Sequence, residues 1–261
     1  MILRGFVLKI ENSGENDLNL VFFSEEEGKI KILVKGARKL KAKLRGLCQF
    51  FIFLELKIVK GKKNIHLIGG RELKVFKNLA ESFKKIKETS FLLSVLNSFF
   101  PFFKKDHKIF VLTLKTLEKI NDLKEEKSEI ISSAFLIKLL AFLGFKPEIK
   151  KCLVCQQDLS RPPHQNHLIF NFKEGGIICP ACSPAFANPL RQSFSEARAS
   201  ASALRASADK KELCSTTGKI LKILQDLLYK DYKFLETKDF KSRENLIKTK
   251  NIIKEFLQWR Q

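Results

Sequence analysis

A chain of 261 residues is long enough for one large or two modest domains, and its 44% hydrophobic content is ordinary for a protein with a buried core. The 49 Lys plus Arg against 28 Asp plus Glu leave a formal charge of +21, a self-repulsion that a polyanionic partner relieves. Nucleic acid is the first such partner and an anionic membrane surface the second, but no run approaches the ~18–20 apolar residues of a spanning helix. The N-terminus Met1-Ile2-Leu3-Arg4-Gly5-Phe6 lacks the order of a signal peptide, so a cytoplasmic protein without membrane contact is expected. Thiols stay reduced there, which makes paired cysteines metal ligands rather than disulfides.

Residues 1–77 read as β structure. Leu3 to Glu11 alternates, with Phe6, Leu8 and Ile10 on one face. Glu11 to Asp17 is a turn cluster, Leu18 to Phe23 a second strand, and Lys29 to Lys35 a third that forms a hairpin with it across Ser24 to Gly28. Cys48 to Val59 reads as a fourth strand and Ile65 to Leu73 as a fifth, broken by Gly69-Gly70. Five strands in this length predict a Greek-key barrel of the OB type, with an SH3-like barrel as the alternative.

Between strands three and four, Lys35 to Gly46 holds six basic residues and no acid: Lys35, Arg38, Lys39, Lys41, Lys43 and Arg45. A glycine-bounded basic segment can lie along a phosphate backbone. The plainer alternative is a solvated lysine-rich loop. Phe6, Phe22, Phe23, Phe50, Phe51 and Phe53 interleave with basic residues; most are expected in the core and at most one or two on the outer surface, where bases can stack.

From Val75 the period changes to about 3.6, and residues 78–261 read as a helical domain. Helices are predicted up to Pro101, over Phe110 to Ile120 and over Ser128 to Gly144, the last apolar nearly all round. Asn121 to Ser128 reads as a charged turn, and Ser193 to Ala208 as a thinly packed helix or a disordered bridge. Leu213 to Leu228 and Asn245 to Trp259 close the chain as helices.

Inside this domain, residues 150–185 carry Cys152-Leu-Val-Cys155 and Cys179-Pro-Ala-Cys182. Two such knuckles across one loop match a tetrahedral structural Zn²⁺, with Leu168 to Phe172 and Gly176 to Ile178 as the paired strands of a zinc ribbon. The 23 residues between the knuckles exceed the usual ~15–20, and free reduced thiols are the alternative. His164 and His167 are read as exposed loop residues, and Cys48 and Cys214 (at a helix start) as small buried apolar groups. Four thiolates leave no open position for catalysis, and no phosphate loop, Gly-x-Ser-x-Gly or His-Glu-x-x-His appears, so no enzymatic activity is expected. The fold class is thus α+β: a five-stranded barrel, then helices carrying a zinc-ribbon insertion.

The order of parts resembles the bacterial recombination mediator family RecO. The residues that carry it are Gly5-Phe6-Val7-Leu8, Val34-Lys35-Gly36-Ala37-Arg38-Lys39, the helix end Leu139 to Glu148 directly before Cys152, and Gly175-Gly176-Ile177-Ile178-Cys179. Gln156 stands where many such knuckles have glycine. The resemblance implies an N-terminal OB domain and a helical domain with a zinc-binding insertion. It implies binding to single- and double-stranded DNA, strand annealing, partnership with RecR and single-strand binding protein, and assistance to RecA at the nucleoid. Carried over by position, Cys152, Cys155, Cys179 and Cys182 are the metal ligands, and Lys35, Arg38 and Lys39 with the basic residues after them lie on the DNA face. A different reading is an RNA-binding or translation-associated protein, where OB barrels and zinc ribbons also occur.

Overall fold

The computed structural model describes residues 1–159, 168–183, 213–216, 218–238, 240 and 242–260. The Ser193 to Ala208 stretch, His164 and His167 lie outside them. Two compact units are present, Met1–Phe135 and Leu136–Gln261.

The first unit begins with strands β1 (Ile2–Ser13), β2 (Asp17–Ser24), β3 (Gly28–Val34), β4 (Ile52–Lys60) and β5 (Ile65–Val75). They close into a barrel in the order β1-β2-β3-β5-β4, with β1 returning to β4 and β3 running parallel to β5. This closed five-stranded barrel is OB-like. Its interior is filled by Leu3, Val7, Leu20, Phe22, Ile30, Ile32, Leu54, Leu56 and Ile58. Removing each such side chain from water contributes roughly 1.5–3 kcal/mol.

The alternation expected along β1 is interrupted. A β-bulge between Val7 and Lys9 resets the register, so Leu3 and Val7 face the barrel interior before it and Ile10 after it. Phe6 and Ile10, expected on one face, therefore lie on opposite faces, and Phe6 points away from the barrel interior. It joins Phe23 and Phe53 around Phe110, at ring-centroid distances of 5.7, 5.8 and 6.3 Å, and Phe100 packs on Phe23 at 5.1 Å. The phenylalanines thus serve two faces: Phe22 fills the barrel, while Phe6 and Phe23 cover it with helices.

The helices after the barrel are α1 (Lys77–Glu81), α2 (Phe83–Phe99), α3 (His107–Asp122) and α4 (Glu125–Phe142). Ser82 and Asp106 cap α2 and α3 by accepting from the Lys85 and Ile109 amides. α4 begins at Glu125, inside the stretch expected to be a charged turn; its acidic first turn suits a helix N-terminus. The division between the units falls within this helix.

β4 starts four residues later than expected. Phe51 takes φ +62°, a left-handed conformation that interrupts the extended run, and Cys48 sits before it in a turn. Gly69-Gly70 do not break β5; a Cβ at Gly70 would approach the Glu55 carbonyl oxygen and Leu56 on β4.

The second unit contains a three-stranded sheet, β6 (Leu168–Asn171) flanked by β7 (Gly176–Ile178) and β8 (Leu213–Thr216). The first two form the expected antiparallel ribbon. β8 corrects the reading of Leu213 to Leu228 as one helix: residues 213–216 pair with β6, Cys214 opposite Phe170, and α5 (Gly218–Tyr229) begins after them. A short helix α6 (Tyr232–Thr237) and α7 (Arg243–Gln258) follow. Among the described residues no helix is long and apolar enough to cross a membrane.

Candidate nucleic-acid interface and metal centre

The basic segment is built from successive three-residue turns. The amides of Lys39, Ala42, Arg45 and Cys48 donate to the carbonyls of Gly36, Lys39, Ala42 and Arg45 at 3.0–3.2 Å. A closing 3₁₀ turn spans Arg45–Leu47. Apolar residues fasten it from beneath, because Ala37, Leu47 and Cys48 enter the barrel core and Leu44 packs on it. Its start is tied to the β1–β2 turn: Gly36 N–H donates to Asp17 Oδ1 at 2.7 Å and Arg38 N–H to Asn16 O at 3.0 Å. Gly36 itself sits at φ +65°, where glycine is favoured.

All six basic side chains, Lys35, Arg38, Lys39, Lys41, Lys43 and Arg45, are exposed. Among the described residues none of the six forms an ion pair; Glu11, Glu25, Glu26, Glu27 and Glu55 pair with Arg4, Lys9, Lys31, Lys60 and Arg71 instead. The six charges therefore stand on one anchored segment with no acid neutralising them. Phe50, just beyond it, is 41% exposed, while Phe6, Phe22 and Phe23 are buried. Cys48 is an anchor: its thiol donates to Leu44 O, and burial pushes it up to about 11.

Sequence reading passed over Lys62 and Lys63. They are exposed in the turn between β4 and β5, a connection that carries nucleic-acid contacts in OB barrels. The signal was present as two adjacent lysines, but turn residues alone gave no reason to single them out.

The four knuckle cysteines come together. The sulfur atoms of Cys152, Cys155, Cys179 and Cys182 all lie within 4.8 Å of one another. Cys155 Sγ and Cys179 Sγ are 3.7 Å apart. Four thiolates at the Zn–S distance have tetrahedral edges of about 3.8 Å, so the donor set and its spacing fit a tetrahedral thiophilic ion. Cys152 and Cys179 are buried and the other two half-buried.

Backbone geometry holds the cage. Val154 N–H and Cys179 N–H both donate to Cys152 Sγ, at 3.4 and 3.3 Å. The Cys179 thiol and these amides hold Cys152 down at about 4, whereas the same hydrogen bond and burial push Cys179 up. Burial and the neighbouring sulfurs push Cys182 up to about 12. A bound cation reverses this ordering by stabilising every thiolate. The first knuckle is closed by Gln156 N–H to Cys152 O at 3.0 Å, with Gln156 at φ +59°. That is why many such knuckles carry glycine here: the turn demands the left-handed region, and Gln156 occupies it at a steric cost. The amide-to-sulfur bonds had no signal in the residue spacing.

Residues 1–74 match the family described as Recombination protein O N terminal, and residues 80–244 the one described as Recombination protein O C terminal. The chain belongs to the RecO family. A DNA repair protein RecO from Alkaliphilus metalliredigens is 34% identical over 180 residues, covering 68% of this chain and 70% of that protein. RecO proteins from Dehalococcoides mccartyi and Caldicellulosiruptor saccharolyticus are each 29% identical, covering 69% of this chain and 68% and 70% of theirs. The RecO N-terminal match ends one residue before the end of β5, so it covers the barrel and its basic segment. The C-terminal match includes both knuckles.

Proposed function

We propose that this RecO-family chain is a non-enzymatic mediator of DNA repair and recombination. In this reading it binds single- and double-stranded DNA, anneals complementary strands and, with RecR, helps place RecA on strands coated by single-strand binding protein. Cytoplasmic, nucleoid-associated localisation follows from that role. The observation that carries the reading is the anchored, unneutralised basic segment Lys35 to Arg45 on an OB-like barrel.

The segment's charges engage phosphates without reading bases, which suits a protein that must act on any sequence. Exposed Phe50 offers one ring face beside them. Annealing needs two polyanions brought together, and neutralising phosphates on a surface lowers that repulsion. Cys152, Cys155, Cys179 and Cys182 would hold Zn²⁺, which supplies a tetrahedral cross-link when bound. The chain's own residues orient the knuckles through the Val154 and Cys179 amides and exclude water with buried Cys152 and Cys179.

Competition binding between DNA and RNA of one sequence tests this reading. DNA binding that RNA displaces no better than DNA is expected. Strong RNA preference would replace the reading by an RNA-associated one, since basic barrels and zinc ribbons serve both.

A further inference from the structure

The loop between α2 and α3 shows two adjacent phenylalanines to solvent, Phe102 at 46% and Phe103 at 67% exposure. Burying either ring would be favourable, and adjacent exposed rings of this size call for a partner. The loop is held firmly. Lys29 on β3 bridges Phe102, and Phe103 N–H donates to Lys29 O at 2.8 Å. Gly28 admits this approach, because a Cβ there would overlap Lys104 O. The Lys29 ammonium is itself buried; it donates to Asn97 O at 2.7 Å and lies 4.3 Å from the Phe102 ring centroid.

Phe103 is held at φ +60°, a region that bulky residues rarely occupy. A strained backbone that presents an aromatic ring outward is the kind of outlier found at ligand sites. The rings stand 6.3 Å apart and tilted by 45°, Phe102 with Lys29 over its ring and Phe103 the more exposed of the two. Exposed Lys104, Lys105 and Lys108 flank them. The nearby acids are engaged: Glu27 by Lys105 and Lys60, Glu25 by Arg4, and Asp106 by the Ile109 amide that it caps.

We infer that Phe102 and Phe103 form a base-stacking platform for single-stranded nucleic acid, with Lys104 and Lys108 on its phosphates. Open ring faces beside unneutralised lysines suit unpaired bases, whereas a duplex keeps its bases stacked internally. This platform is separate in sequence from the Lys35 to Arg45 segment, and the inference rests on the DNA-binding reading above.

Phe103→Gly in the full chain tests it, since glycine accepts φ +60° and removes the benzyl side chain. Probes are a labelled oligo-dT, a duplex of equal length and a labelled acidic peptide containing apolar residues. Oligo-dT binding is expected to weaken about tenfold, with an unchanged salt slope and unchanged duplex binding. Phe102→Ala should weaken it in the same sense. Phe103→Trp should add a fluorescence signal, over that of Trp259, that oligo-dT quenches.

Wild-type binding with no loss in either variant overturns the platform and leaves the DNA-binding reading standing. Failure of the wild type to bind oligo-dT overturns both. Loss of peptide binding alone would assign the rings to a protein partner and overturn the inference.

Discussion

Stripping the metal from the cysteine centre is expected to lower the melting temperature by roughly 8–16 °C. A ligand at a free concentration of about 1,000 times its Kd stabilises by about 4 kcal/mol, and each kcal/mol moves the midpoint of a chain this size by about 2–4 °C. The local structure explains why the loss spreads. The first knuckle and the residues before it are fastened to the second unit's sheet, since Leu153 N–H donates to Ile177 O at 2.9 Å and Ile177 N–H to Glu148 O at 3.0 Å, and the second knuckle follows β7 directly. That sheet packs on α7 through Phe170 and Phe256, 5.4 Å apart. Gly175 lies close beneath Phe256 and Arg260, where a side chain would collide. Without an ion, clustered thiols have only weak hydrogen bonds to hold them. Protons compete with the metal for Cys182, held up at about 12 when free, so metal affinity is expected to fall as pH falls. Cys152→Ser should cost more than Cys155→Ser, because Cys152 is the buried sulfur that accepts two amides. Metal analysis of reduced protein together with calorimetry, with and without a strong chelator, checks both points. Absence of zinc and an unmoved midpoint would reject the structural-ion assignment.

Replacing Arg38, Lys39, Lys41 and Lys43 together by Ala should weaken single-strand binding by two to three orders of magnitude at about 0.1 M salt. If the segment's six cations touch about six phosphates, the log–log salt slope is about −4; with two contacts left it becomes about −1.5. The fold should survive, because the anchoring is done by Ala37, Leu44, Leu47 and Cys48 rather than by the charges. The four side chains are exposed, so truncation opens no cavity. Fluorescence titrations of a labelled oligonucleotide across a salt series, with a thermal melt of the variant, separate lost contacts from lost fold. An unchanged slope in a folded variant would remove this segment from the DNA face.

The parts of the molecule that follow simple periodicity were legible from residues alone. Ile30, Ile32 and Val34 alternate along the third strand predicted over Lys29 to Lys35 and face the barrel interior, and the spacing of Cys152, Cys155, Cys179 and Cys182 foretold their convergence. The departures arise where backbone conformation or distant pairing decides. Nothing in Val7-Leu8-Lys9 announces a bulge, yet the bulge puts Phe6, against the helices, and Ile10, against the barrel core, on opposite faces. Phe51 and Phe103 adopt left-handed angles that no propensity assigns to phenylalanine. Leu213 to Thr216 look helical in isolation, but β6 offers an unpaired edge, and satisfying its backbone groups outweighs local preference. The six basic residues were found because they cluster in sequence; the Phe102–Phe103 display needed the fold, since it is their joint exposure on one loop that sets them apart from the other phenylalanines.

Annealing of complementary DNA strands coated with their cognate single-strand binding protein tests the mediator role most directly. Pairing should accelerate when the wild-type chain is added, and far less with the Arg38, Lys39, Lys41 and Lys43 alanine variant. Equal rates with and without the wild-type chain would contradict the role.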